Sequence, residues 1–215
     1  MKVEKIYELC LEYIKKVLIE EDGNNSKIPE QSFRKRYDHT NRVLMWTDRI
    51  LEDETLKNTK IRVKELKLAV IFHDVGYITD DDPNHKHSIY SEQIFRNFSK
   101  TLPLTEEEID FISFLIFHHG NKQALKSGDF PLELIILMEA DMLDEEGAMA
   151  LAWDCLTLGA TYPSNYEAAY FKIEKFASHI LNTNVMRTPT AILFWKKKQD
   201  LVTEFMKQLK FDLGL

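Results

Sequence analysis

The residues best able to do chemistry in this chain are histidines and aspartates at the ends of apolar runs. His73 and Asp74 close the run KELKLAVIFHDVG, with His39 well upstream, His118 and His119 downstream, and Asp141 beyond them in EADMLDEEGA. Imidazole nitrogens and carboxylate oxygens are the donors that borderline and hard divalent cations prefer. Brought together inside a helical bundle they would hold a metal, and a bound metal makes water a nucleophile near neutral pH. Neighbouring helical residues diverge by about 100°. His73 and Asp74 therefore share a target only at a helix end, where Gly76 follows as a residue that tolerates a left-handed conformation. From such an end the carboxylate could bridge two ions while the imidazole serves one.

Each of these residues alone has an ordinary explanation. An isolated His-Asp pair arises by chance, and a lone inward histidine such as His39, which shares a helix face with Val43 and Trp46, is usually a satisfied core residue. Taken alone, His119 reads as solvent-exposed. Asp141 carries more, because a carboxylate in the apolar run LELIILMEADML is rarely buried unless paired or bound to metal. Asp144, one turn later, either hydrogen-bonds within the site or starts the next helix. The joint order of His39, His73, Asp74, His118 and Asp141, each on or beside an apolar helix, decides for a site.

The elements that must position them are helical. Ile6, Leu9, Cys10, Tyr13, Ile14, Val17 and Leu18 share one face of a helix of about five turns. DGNNSKIP (22–29) is a loop, and Ser32 can cap the following helix, which carries His39, Val43, Leu44, Trp46 and Ile50. A helix spans about 62–73, ITDDDPNHKH is a second loop, and SIYSEQIFRNF has helical period. Thr105 and Glu108 have capping-box spacing before IDFISFLIFHH. NKQALKSGDF is a loop, and Pro131 opens the next helix from its first turn. EEGAMALAWDCLTLG closes at Gly159, ATYPSNY (160–166) links it onward, and helices run over about 166–181 and 189–209, the latter with Thr188 as cap and Pro189 in its first turn. No strand pattern or internal repeat is present. The expectation is an all-α fold, a single helical-bundle domain of about eight helices.

Bulk properties agree with that class. The chain has 215 residues, 44% apolar and 29% charged, with a net charge of -7. That balance speaks against general nucleic-acid binding, which needs a basic face, and leaves room for a nucleotide held by one metal and a few cations. Cys10 and Cys155 lie in apolar helical patterns and are expected as buried thiols. Trp153, Trp195 and Tyr162 are expected in or near the core. No apolar run approaches the roughly 20 residues of a membrane span, and charges interrupt the N-terminal segment, so it does not read as a signal peptide. A cytoplasmic location is the expectation.

The order His39, His73-Asp74, Asp141 resembles the HD-domain superfamily of metal-dependent phosphohydrolases. DHTNRV resembles that family's first-histidine helix, H-x-x-R-V, and AVIFHDVG its His-Asp helix end. EADMLDEEGA resembles the D-A-D-x-L-D-x-x-G-A segment of a subgroup of small, stand-alone bacterial hydrolases, and MRTPTAILFWKKKQDLVTEFMKQL the subgroup's closing helix. The similarity runs from about residue 35 to about 210. It implies one domain over 1–215, with a core at about 35–160 and flanking helices at 1–20 and 165–210. It implies a divalent ion (manganese, nickel, cobalt, iron, zinc or magnesium), one or two per chain, held by His39, His73, Asp74 and Asp141. His87 and His118-His119 stand where two-metal members place further ligands. HDVGY in place of HD-x-G-K, and the absence of G-Y-P after His119, speak against cyclic-dinucleotide cleavage.

The expected reaction is hydrolysis of a phosphoester or phosphoanhydride in a nucleotide or similar small phosphorylated metabolite. No nucleophile motif or P-loop is present. Asp74 serves the metal and the reaction. Lys86 and Arg42 are the candidate phosphate contacts, with Lys122 a third, and Asp144 or Glu145 the group that orients water or acts as general base. The plain alternative for Arg42 is an ion pair with Asp38 or Asp48. The alternatives for the whole chain are hydrolysis of an alarmone or other small phosphoester, an inactive nucleotide-binding HD module, and a helical interaction protein. A homodimer is compatible with the sequence, though no interface is legible in it.

Overall fold

Between Val63 and Phe72 the chain has almost no polar side to offer water, and seven of these ten residues are buried. A helix of that kind must be enclosed, and the fold encloses it. The structure, a computed structural model, describes residues 1–24, 35–79, 87–161 and 165–215. The helices are α1 (Val3–Asn24), α2 (Arg36–Leu51), α3 (Val63–Phe72), α4 (His87–Ser99), α5 (Glu106–His118), the single turn α6 (Ala124–Ser127), α7 (Leu132–Glu145), α8 (Ala148–Thr161), α9 (Tyr166–Leu181) and α10 (Pro189–Leu213). Short 3₁₀ turns lie at Glu54–Leu56 and Val75–Thr79. No strand is present among the described residues, so the fold is all-α, with nine helices of ten residues or more where about eight were expected.

Helices α1, α2, α5 and α7 surround α3, while α4 lies across α5 and the Val75–Thr79 turn. Helix α1 contributes Ile6, Cys10, Ile14 and Leu18 to the core, as its spacing predicts. Eleven of the fourteen residues of α7 are buried, and α2 packs along it. Helices α8, α9 and α10 form a flank in which α10 reaches back to α7 and α2. No helix among the described residues is long and apolar enough to cross a membrane.

Buried carboxylates fix the ends of these helices. Glu139 of α7 accepts hydrogen bonds from the Thr188 amide at 2.9 Å, the Thr188 hydroxyl at 2.7 Å and the Arg187 amide. Asp53 accepts from the amide and hydroxyl of Thr190, at 2.9 and 2.6 Å, and from those of Thr55. The Thr190 amide in the first turn of α10, and the Arg187 and Thr188 amides just before it, thus meet two carboxylates, a favourable charge for a helix N-terminus. Glu133 accepts the Arg62 amide at 2.7 Å, so α3 and α7 begin side by side. Both then end at the same place, which is where His73 and Asp141 lie.

Several local expectations change. Thr188 sits at the N-cap of α10, but its hydroxyl donates to Glu139 instead of capping. Pro131 occupies the N-cap of α7, one position before the first turn. Gly159 lies inside α8, which runs on to Thr161. The capping box of α5 forms with both its hydrogen bonds. Both cysteines are free thiols; Cys10 is buried as expected, but Cys155 is exposed, because it falls on the outer face of α8. Trp195 is fully buried and Trp153 half-buried. Ser32, Tyr162, and most of the loops at 22–29 and 78–87 lie outside the described residues.

Two predictions follow from this buried charge. Glu139→Ala leaves three donors without their acceptor and should lower unfolding stability by about 2–4 kcal/mol; a urea midpoint within experimental error of wild type would contradict the anchoring role. Glu146, at the end of α7, has its carboxyl raised by burial to about 7, with Lys198 opposing and Asp154 adding to the rise. One of its oxygens has no hydrogen-bond partner among the described residues. Because the folded value lies above the ordinary 4.5, its contribution is fully present below that pH and is lost as pH rises through 7. Glu146→Gln should therefore gain about 1–2 kcal/mol at about pH 8 and nothing at about pH 4, read from thermal melts across that range.

Candidate metal centre

Three histidines are turned inward by a hydrogen bond at Nδ1, two of them at helix ends. His73, in helical conformation just past α3, donates from Nδ1 to the Val70 carbonyl at 2.7 Å. His119, just past α5, donates from Nδ1 to the Ile116 carbonyl at 2.6 Å. His39, inside α2, directs Nδ1 to the Asp144 carboxylate at 2.7 Å. In each case Nδ1 directs its proton toward a fixed acceptor, so Nε2 points away into the site.

Those nitrogens meet two carboxylates. His39 Nε2 lies 3.3 Å from His73 Nε2, 3.2 Å from Asp141 Oδ1 and 3.4 Å from Asp74 Oδ2. His73 Nε2 is 3.7 Å from Asp74 Oδ1 and 3.8 Å from Asp141 Oδ1. A cation with ligands at about 2.1 Å separates adjacent donors by roughly 3.0 to 3.4 Å in octahedral or tetrahedral geometry. The four residues therefore fit a divalent ion with little movement. On the other side of Asp74, Oδ1 lies 3.4 Å from His119 Nε2 and 3.7 Å from His87 Nε2, which are 3.2 Å from each other. Asp74 belongs to both sets. Glu145 joins His39 and Asp141 in a third grouping at the rim.

The carboxylates also hold cations of the protein. Arg36 donates to Asp74 Oδ2 at 2.8 Å, and Lys122 lies 2.5 Å from Asp141 Oδ2. Arg42 donates from two nitrogens to the two oxygens of Asp144, at 2.7 and 3.0 Å. Burial pushes the Asp74 and Asp141 carboxyls upward, but neighbouring charges and hydrogen bonds prevail and hold both well below the usual range: His73, Arg36, His119 and His39 at Asp74, and Lys122, His39 and His73 at Asp141. Burial likewise opposes charge on His39, and its hydrogen bonds to Asp141, Asp144 and Asp74 outweigh that, raising it to about 10. Burial dominates at His87, which falls to about 4.

The structure thus brings together His39, His73, Asp74, Asp141, His87 and His119. It does not bring in His118, whose ring lies against Phe114, Phe117 and Phe130. His119, expected to be exposed, is buried instead, because α5 turns this side toward α3. Asp144 is buried with both oxygens committed to His39 and Arg42, and it does not begin α8. Arg42 pairs with neither Asp38 nor Asp48; Lys67 takes Asp48 at 2.6 Å. Lys122 stands at the site through Asp141, and Lys86 lies outside the described residues.

Arg36 and Tyr77 were not read from the sequence. Each is three residues from a site residue, Arg36 before His39 and Tyr77 after Asp74, the spacing at which helical neighbours share a face. Gly76 also has a different role from the one expected. Its φ is not positive, as it is at Gly147 and Gly214. A Cβ there would lie 2.1 Å from the His87 carbonyl oxygen and 2.5 Å from the Ser91 amide. The glycine lets α4 approach the His-Asp turn, and its amide donates to the Ser91 hydroxyl at 2.8 Å.

Residues 36–146 match the family model of the HD domain, 111 of 215 positions, and the chain belongs to that family. No curated protein matches it in sequence. Among solved structures, an HD-superfamily hydrolase from Bacillus thuringiensis shares 15% identity over 99% of both chains with a TM-score of 0.70. YpgQ of Bacillus subtilis in complex with ADP shares 19% identity over 99% of this chain and 97% of its own, with a TM-score of 0.65. A predicted HD superfamily hydrolase from an uncultured Thermotogales bacterium shares 16% identity over the whole of both chains, with a TM-score of 0.63. At these identities the likeness is one of fold.

The close approach at Gly76 generates a test. Gly76→Ala must push α4 from the His-Asp turn and carry His87 away from Asp74. The expected result is a stability loss of about 2 kcal/mol or more together with weakened metal binding. A variant with wild-type melting and wild-type metal affinity would show that α4 approaches less closely than described.

Proposed function

We propose that the protein is a metal-dependent phosphohydrolase acting on a nucleotide or a similar small phosphorylated metabolite. The observation that carries this reading is the convergence of four imidazoles and two buried carboxylates around Asp74. When bound, a divalent ion supplies a water nucleophile near neutral pH and Lewis acidity toward phosphoryl oxygens. His39, His73, Asp74 and Asp141 would hold the first ion; Asp74, His87 and His119 would hold a second. Asp144, with both oxygens engaged, keeps His39 in the tautomer that frees Nε2 and is a positioning residue. Glu145, grouped with His39 and Asp141 at the rim, is the carboxylate that would orient water. Arg36 and Lys122, which pair with Asp74 and Asp141, are the cations that would meet phosphoryl oxygens. The fold likeness to YpgQ, whose structure holds ADP, supports a nucleotide as the substrate class. We read residues 1–215 as one domain, because α1 and α10 place Ile14 and Trp195 in the same core as α3.

The test is hydrolysis itself. Protein stripped with chelator should be inactive toward nucleoside mono- and triphosphates and regain phosphate release with manganese, nickel, cobalt or magnesium. Asp74→Ala should lower kcat/KM at least about 10³-fold, roughly 4 kcal/mol of transition-state stabilisation, and should lose metal. No release from any substrate with any of these ions would refute the hydrolase; full metal content in Asp74→Ala would refute the ligand assignment.

A further inference from the structure

His87 differs from the other three imidazoles of the site. His39, His73 and His119 each have Nδ1 held by a carboxylate or a backbone carbonyl at 2.6–2.7 Å. His87 Nδ1 is buried and has no hydrogen-bond partner among the described residues. A metal-binding histidine ordinarily owes its ring orientation to that hydrogen bond, so His87 needs another constraint.

Tyr77 supplies one. Its ring lies 4.2 Å from the His87 ring, centroid to centroid, and within 10° of parallel. The Arg36 guanidinium lies 3.5 Å from the same Tyr77 centroid. Two planar groups cannot occupy one face of a ring at those separations, so Arg36 and His87 lie on opposite faces. The phenol is therefore the middle layer of a stack. One outer layer, Arg36, donates to Asp74 Oδ2 at 2.8 Å, and the other, His87, faces Asp74 Oδ1 at 3.7 Å. Guanidinium–ring and ring–ring stacking each favour a fixed parallel geometry, which chooses one orientation of an imidazole whose Nδ1 has no hydrogen-bond partner among the described residues. Tyr77 reaches this place because Val75–Thr79 turns tightly after Asp74 and Gly76 admits α4 beside it.

We propose that Tyr77 is the positioning residue of the second cation site: by stacking it sets the His87 ring so that Nε2 joins Asp74 and His119, the constraint that a hydrogen bond at Nδ1 supplies in the other three imidazoles. The inference rests on the two-ion reading above. It separates the two halves of the centre, because the His39, His73 and Asp141 donors do not touch Tyr77 in any described contact.

The test is manganese binding by calorimetry, with the low-temperature electron paramagnetic resonance spectrum of an exchange-coupled pair as signature. Wild type should take two ions and show coupling. Tyr77→Phe keeps the ring and should hold both ions within about 3-fold of wild-type affinity. Tyr77→Leu should keep the first ion, weaken the second about 10-fold or more, and lose the coupled spectrum, as should His87→Ala. Tyr77→Met carries the same test should Tyr77→Leu not fold. Wild-type affinity for both ions in Tyr77→Leu or Tyr77→Met would overturn the inference, as would loss of both ions together. A single ion in wild type would refute the two-ion reading itself, and the inference with it.

Discussion

An ionised carboxylate removed from water costs many kcal/mol unless charge or hydrogen bonds replace its hydration. Asp74 is only 4% exposed, and the rest of the centre is organised by what it must meet. One oxygen faces Arg36 and His39, and the other faces His73, His87 and His119. These groups come from α2, α4 and the ends of α3 and α5. A single buried charge therefore requires four helix segments to end or pass within a few ångströms of one another. Loosening any of them would expose or orphan the charge.

The other buried carboxylates show what a structural role looks like in the same protein. Glu139, Glu133 and Asp53 are spent on backbone amides and neighbouring hydroxyls at helix N-termini. Each closes a helix end, and both oxygens of Glu139 and of Asp53 are taken up in doing so. Asp74 and Asp141 instead face imidazoles and the cationic side chains of Arg36 and Lys122. Asp144 is intermediate: it is saturated like the structural group, but its partner is a candidate ligand, His39. The direction in which a carboxylate is satisfied thus separates scaffold from site more sharply than burial does.

Much of the frame was legible in the sequence because it is local. The capping box at Thr105 and Glu108 is set by four consecutive residues, and it formed as read. The span Tyr166–Leu181 followed from apolar spacing alone. His39, His73, Asp74 and Asp141 stood out because polar residues in apolar helices need a reason to be there. His118 and His119 were not separable in this way. Helix α5 is apolar on two flanks, with Phe111, Phe114 and Phe117 on one and Ile112, Leu115 and Ile116 on the other. Only the packing of α5 on α3 decides which flank is inside, and so which histidine faces Asp74. Gly76 was legible as a glycine that mattered, but its reason lay in α4, eleven residues further on.

The sequence by itself determined which residues could bind a cation and that helices would carry them, since donor chemistry and helical period are properties of short stretches. Tertiary structure decided that Asp74 is shared between two sets of donors, that His119 and not His118 belongs to them, and that Arg36 and Tyr77 stand beside them. The physical reason is distance along the chain. Arg36 and Asp74 are 38 residues apart and His39 and Asp144 are 105. Contacts of that range arise only when buried faces of different helices meet, and no pattern within one helix encodes its partner's orientation.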